Sequence, residues 1–280
     1  MSRRITAALA AVVVVAACQG PATSPRPTVS SGSSPLPPVT IGVGTDIPGL
    51  ALFNPDTQER RGFDVDLYRW LANNTEPKFT PVEVSVLIGN RVDELTLGRV
   101  QLVVHGFSIT DKRREEIGFA GPYLISQQGF LVRAGEEGTV RSLDDLVGKN
   151  LCTQAGSTSL SQLTLGPLKS KVTVTSEVGT RQCVDRLLRE EVDAVSTDQI
   201  ILLGFARQDP GVRVVPLTFG TQERYGIGLP KGDRAQCERM TQGIREFITN
   251  GYWDQFFRSN FGDLPPEGYR PDPYHLDPCR

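Results

Sequence analysis

Residues 62–71 read Gly62-Phe63-Asp64-Val65-Asp66-Leu67-Tyr68-Arg69-Trp70-Leu71. Phe63, Leu67, Trp70 and Leu71 recur at helical spacing, so one face of this stretch is apolar and belongs in a core. Asp64 and Asp66 stand at its start, where the unpaired N–H groups of a helix favour negative charge. Outward from this helix the pattern changes period. Residues 39–45 before it alternate as a strand. After it come a strand at 81–87, a short helix at 91–97 and a strand at 101–105. The order β-α-β-α-β predicts a parallel sheet with helices on both faces.

A second cycle begins after Tyr123. Residues 129–133 are strand-like, and Ser142-Leu143-Asp144-Asp145 opens a short helix in capping-box style. Strands are expected at 149–154, 171–175, 192–196 and 212–217, with helices at 159–165 and 181–191 between them. A strand at 225–230 and a long amphipathic helix at 234–250 follow. No repeat of 20–50 residues is visible. Two α/β modules in a chain of 280 residues predict a cleft between them, where small ligands bind preferentially.

The ends of the chain speak to location. Arg3 and Arg4 precede an apolar run at 5–17 that is too short to span a bilayer, which needs about 20 residues. The run ends Val15-Ala16-Ala17-Cys18, similar to a bacterial lipobox, so 1–18 is expected to be a lipoprotein signal with Cys18 lipidated. Six prolines among Ser, Thr and Gly make 19–38 a flexible tether. The expected location is extracytoplasmic, lipid-anchored to the cell membrane. Export puts Cys152, Cys183, Cys237 and Cys279 in an oxidising compartment, where four cysteines allow three connectivities. Nearest neighbours within modules favour Cys152 with Cys183 and Cys237 with Cys279. The net charge of −2, from 30 basic and 32 acidic residues, argues against a nucleic-acid partner. Only His105 and His275 are present, without an H-E-x-x-H pattern, so no metal and no cofactor are expected.

Several motifs then fall in a recognisable order. Gly62-Phe63-Asp64-Val65-Asp66-Leu67 resembles the G-F-D-x-D-L signature of the family 3 extracellular solute-binding proteins, which bind polar amino acids for ABC importers. The stretch from Gly106 to Arg113 is similar to that family's S-x-T-x-x-R loop, and Phe119-Ala120-Gly121-Pro122-Tyr123 to its F-S-x-P-Y. Leu146-Val147-Gly148-Lys149 with Gly156-Ser157-Thr158 resembles L-x-G-K followed by G-T-T, and Val192 to Asp198 resembles V-D-A-x-x-x-D. Asn250-Gly251-Tyr252-Trp253 and Phe261-Gly262 echo the family's ending without its Lys-Trp. The resemblance implies a type II periplasmic-binding-protein-like fold: two α/β lobes joined by two crossing segments around a ligand cleft. It places lobe 1 at 39–125 and 222–280, and lobe 2 at 126–221.

A free amino acid is a zwitterion, so its receptor needs a cation and N–H donors for the α-carboxylate and an anion for the ammonium. The resemblance assigns Arg113 to the carboxylate, because a planar fork matches two oxygens. It adds Ser108 and the backbone of Gly106 from lobe 1. Ser157 and Thr158 come from the start of a lobe 2 helix, whose N–H groups suit an anion. Asp198 takes the ammonium. Asn90-Arg91 is similar to the N-R of acidic-amino-acid binders, which predicts glutamate or aspartate with Arg91 on the side-chain carboxylate. His105 is a further candidate contact, or packs in the lobe. Many relatives place an aromatic residue over the ligand in the first loop; here it reads Asp46-Ile47-Pro48-Gly49-Leu50, and Phe53 is the available substitute.

The function that follows is a monomeric amino-acid-binding lipoprotein delivering ligand to the permease and ATPase of an ABC importer. Two alternatives use the same fold: a sensor feeding a membrane signalling pathway, and a secreted cyclohexadienyl-dehydratase-like enzyme. The sequence shows no acid–base constellation beyond the zwitterion clamps and no G-x-S-x-G, so a binder rather than an enzyme is expected.

Overall fold

In the computed structural model, residues 35–280 are described; the signal segment, Cys18 and nearly all of the tether lie outside the described residues. The chain enters at β1 (Pro38–Val43) and makes three short strands, β2 (Asp46–Ile47), β3 (Ala51–Asn54) and β4 (Glu59–Arg61), which form a small antiparallel sheet of their own. Helix α1 (Phe63–Asn74) follows, as its spacing predicts. A Cβ on Gly62 would overlap the Leu50 carbonyl, and its φ of 136° is open only to glycine. Phe63 is fully buried among the rings of Tyr123, Trp253, Phe247 and Phe257.

Next come β5 (Thr80–Ser85), α2 (Arg91–Thr96) and β6 (Leu102–Val104). β1 lies between β5 and β6 and is parallel to both. After α3 (Asp111–Arg114), strand β7 runs for 17 residues, Ile117–Arg133. The second module contains β8 (Asn150–Gln154), α4 (Thr158–Leu165), β9 (Thr173–Glu177), α5 (Thr180–Leu188), β10 (Ala194–Asp198), α6 (Gln199–Gln208) and β11 (Val212–Val214). Then β12 (Phe219–Pro230) returns, and α7 (Arg234–Thr249) and α8 (Tyr252–Phe261) pack against α1.

The large sheet has the order β5-β1-β6-β12-β7-β10-β8-β9, with β11 beside β7. The first module's strands are parallel, as their order predicts, and so is the far end of the sheet; only the middle, where β7 and β12 enter, is antiparallel. The physical reason is that β7 and β12 run in opposite directions between the modules. The start of β7 pairs with the end of β12, whereas its end, from Gln128, pairs with β10 and β11. These two strands are the crossing segments.

Both expected cysteine pairs are present, Cys152–Cys183 and Cys237–Cys279, with Cα atoms 5.4 and 5.8 Å apart. The first ties β8 to α5; the second ties the C-terminal segment to α7. That segment also bonds to the crossing strand, Ile125 N to Tyr269 O at 2.8 Å and Asp277 N to Gly121 O at 2.7 Å. Closing a loop of 31 residues removes about 4 kcal/mol of unfolded-chain entropy. Serine at both Cys152 and Cys183 is therefore expected to lower unfolding free energy by about 3–4 kcal/mol in a denaturant titration. No helix among the described residues is long and apolar enough to cross a membrane.

Candidate ligand-binding site

The first signature carboxylate turns out to be a brace. Asp64 is fully buried and accepts from Tyr123 OH at 2.7 Å and from Gly106 N at 2.9 Å. Burial pushes its carboxyl up to about 7, against those two bonds. It thereby fixes the loop after β6, which carries Gly106 and Ser108 and leads into α3 with Arg113.

Arg91, at the start of α2, is 2% exposed. Its Nε donates to Ile88 O at 2.9 Å, and its Nη1 to His105 O at 2.9 Å and Gly106 O at 3.0 Å. Nη2 is the nitrogen left without a protein partner among the described residues. Arg113 donates to Ser108 O at 2.7 Å and, across the cleft, to Gly156 O at 3.2 Å. Both guanidinium groups lie on the Phe107 ring, 4.3 and 4.9 Å from its centre. Burial, and then the neighbouring Arg113, push the Arg91 pKa down, yet a guanidinium starts so high that it keeps its charge.

The opposite sign comes from the crossing strands and β10. Asp198 is 4% exposed and Glu223 3%. Gln128 Nε2 donates to both, at 2.6 Å to Asp198 and 2.7 Å to Glu223, and Tyr225 OH donates to the other Asp198 oxygen. Burial and then the Glu223 charge push the Asp198 carboxyl up to about 8.

A cavity of only about 10 Å³ is lined by six of the expected residues, Arg91, Gly106, Ser108, Ser157, Thr158 and Asp198, together with Ile88, Gln154, Ser159, Thr197 and Ile201. Beside it a cleft of about 590 Å³ is lined by Arg113, Glu223 and the 156–158 turn, among others. Ser157 caps α4: its hydroxyl accepts from Leu160 N at 3.1 Å and donates to Gln154 O at 2.6 Å. What Ser157 offers the cavity is therefore chiefly the N-terminal end of that helix.

The structure does not bring His105 into this cavity. Its ring packs beside Gly44, where a Cβ would stand 2.5 Å away, and both ring nitrogens are buried without a partner. Burial and the Arg91 and Arg60 charges push its pKa down to about 3, so it is neutral. Phe53 lies under Arg60, 4.8 Å from the guanidinium to the ring centre, and lines neither space. Sequence reasoning missed Gln128, Glu223 and Tyr225. Nothing in the run Thr221-Gln222-Glu223-Arg224 marks Glu223 as the buried one.

Residues 39–263 match the family described as bacterial extracellular solute-binding proteins, family 3. Glutamate-binding protein GluB of Corynebacterium efficiens is 32% identical over 244 residues, which span 80% of this chain and 79% of GluB. ABC transporter glutamine-binding protein GlnH of Bacillus subtilis is 26% identical over 268 residues, 92% of this chain and 96% of that one. Among solved structures, an ancestral arginine-binding protein bound to arginine aligns with a TM-score of 0.73 at 27% identity, covering 80% of this chain and 98% of the other.

Proposed function

Because the chain belongs to the bacterial extracellular solute-binding proteins, family 3, we infer that it captures glutamate or aspartate outside the cytoplasm and delivers it to an ABC importer. Its fold is the two-lobed α/β type of periplasmic amino-acid-binding proteins. In this reading residues 39–125 and 222–280 form lobe 1 and 126–221 lobe 2, with the ligand between them. The relatives are named as binding proteins, which supports a receptor over an enzyme. The lipobox-like end at Cys18 supports a lipid anchor, the 19–38 stretch serving as tether for a monomer.

One observation carries the ligand class. Two arginines and two buried carboxylates line the same cleft and its inner cavity, yet neither Arg91 nor Arg113 forms an ion pair among the described residues. Buried charges are normally paired with each other; here the two guanidinium groups and the Asp198 and Glu223 carboxyls stand on different elements with no ion pair between them. A zwitterion satisfies both. Arg113 and the α4 end take the α-carboxylate, Asp198 takes the ammonium, and Arg91 Nη2 takes a side-chain carboxylate. Three or four charge-assisted bonds at about 1.5–3 kcal/mol each account for a micromolar complex of about 8 kcal/mol.

Calorimetry with glutamate, aspartate, glutamine and arginine tests this. The two acids are expected to bind tightest, and Arg91→Gln to weaken glutamate about tenfold or more relative to glutamine, for one lost charge-assisted bond. An equal change for glutamate and glutamine would leave Arg91 as a brace for three carbonyls and remove the acidic specificity.

A further inference from the structure

We propose that the lobes close on a second contact, away from the ligand, in which the 46–48 loop of lobe 1 seats between α5 and α6 of lobe 2. This rests on the two-lobed receptor reading above and concerns how closure is driven.

The loop in question is the one expected to cover the ligand, and it does not line the inner cavity at all. It goes elsewhere. The residue before α5, Gly179, offers that helix no side-chain cap, although the first N–H groups of any helix need acceptors. Asp46 supplies one from the other lobe: its carboxylate occupies the space a Cβ on Gly179 would need, and the N–H groups of Thr180 and Arg181 face it. Gly204 lies inside α6, where glycine is disfavoured relative to alanine. A Cβ there would overlap the Pro48 carbonyl, so the glycine permits backbone of one lobe to lie directly on a helix of the other. Between these two contacts Ile47 is fully buried, in one apolar cluster with Val184, Ile201 and Phe205. Further along, Arg207 of α6 donates to Phe261 O of α8 at 2.7 Å.

None of these groups touches the ligand cavity except Ile201. They favour the closed arrangement whatever amino acid is bound, and a ligand then has only to supply the remainder. Asp46, Gly179 and Gly204 are thus positioning residues for closure. Their loss scales every affinity by one factor.

Gly204→Ala is the discriminating variant, because alanine favours the helix while blocking the contact. The expected result is an unchanged or raised melting temperature without ligand, together with affinities for glutamate, aspartate and glutamine that fall by the same factor, about tenfold by calorimetry. Asp46→Ala should do likewise, and Asp46→Asn, which keeps an acceptor oxygen, should recover most of the loss. Small-angle scattering of the ligand-free protein should show a larger radius of gyration for Gly204→Ala than for wild type. Unchanged affinities in both the Gly204 and Asp46 variants would overturn the proposal, as would a loss confined to one ligand, which would put the loop in the binding site. Should wild type bind none of the amino acids, the receptor reading fails. The scattering comparison then decides the closure contact alone: equal radii would overturn it.

Discussion

Replacing Arg113 with Gln is expected to weaken every amino acid the protein binds by roughly a hundredfold to ten-thousandfold, with the fold retained. The size follows from two charge-assisted bonds to one carboxylate at about 1.5–3 kcal/mol each, with tenfold for every 1.4 kcal/mol. Glutamine keeps the length and an N–H₂ but loses the charge and the fork. Arg113→Lys keeps the charge and should still lose at least tenfold, because an ammonium meets the carboxylate as a single point. A competing role exists on the structure itself. Arg113 also donates across the cleft to Gly156 O, so the variant could weaken binding by loosening closure alone. The two roles separate with a ligand whose α-carboxylate is an amide. A clamp predicts that wild type loses affinity for glutamate α-amide about as much as Arg113→Gln loses for glutamate, and that the variant no longer distinguishes the two ligands. If the variant still prefers glutamate over its α-amide by the wild-type factor, the clamp assignment is wrong.

The residues that were legible before the structure share a physical property: their role is written in local periodicity or in a motif. The face of α1 is set by Phe63, Leu67, Trp70 and Leu71, and its helical period survives whatever surrounds it. Of the crossing strands, only the ends at 129–133 and 225–230 carried such a mark. Every residue of β7 from Ile117 to Ser126 is buried, so the alternation that reveals a half-buried strand is absent. Gly118, Gly121 and Pro122 inside it also read as breakers. Helix α6 was hidden for a related reason, since Ile200, Ile201 and Leu202 are consecutive buried residues rather than a stripe. In the site, Arg113 and Asp198 stood in recognisable motifs, but Glu223 acquires its meaning only from a tertiary neighbour, Gln128, some 95 positions away. The signature itself hid a division of labour. Asp64 reads, like Asp66, as an acid at a helix start, and it is also the buried anchor of the Gly106 loop.

Binding is expected to strengthen as pH rises from about 5 toward 8, by up to tenfold per unit, with one proton released for each ligand bound. The cause lies in Asp198. Without a ligand cation, burial and the Glu223 charge hold its carboxyl at about 8, while Tyr225 OH, the Arg91 charge and Gln128 Nε2 pull in the opposite direction. Below that pH the carboxyl keeps its proton, yet an ammonium ligand needs the carboxylate. Capture therefore displaces the proton, and the apparent affinity gains with pH until Asp198 is already ionised. Folding stability of the ligand-free protein runs the other way. A carboxyl raised from 3.8 to about 8 contributes fully below pH 3.8 and loses that contribution as pH climbs through 8, at up to about 1.4 kcal/mol per unit. Asp64, raised to about 7, adds a loss of the same sign over a lower window. Ligand and proton thus compete for one oxygen pair, so ligand stabilises the protein most at the alkaline end of this range. Calorimetry in two buffers of different ionisation enthalpy measures the proton directly. Asp198→Asn should abolish its release and flatten the pH profile as well as weakening capture. Glu223→Gln should move the midpoint of the profile downward, because it removes the second cause of the raised carboxyl. Affinity that stays constant from pH 5 to 8, with equal heats in both buffers, would mean that Asp198 is already ionised before the ligand arrives. The ammonium would then have to be met without a proton exchange.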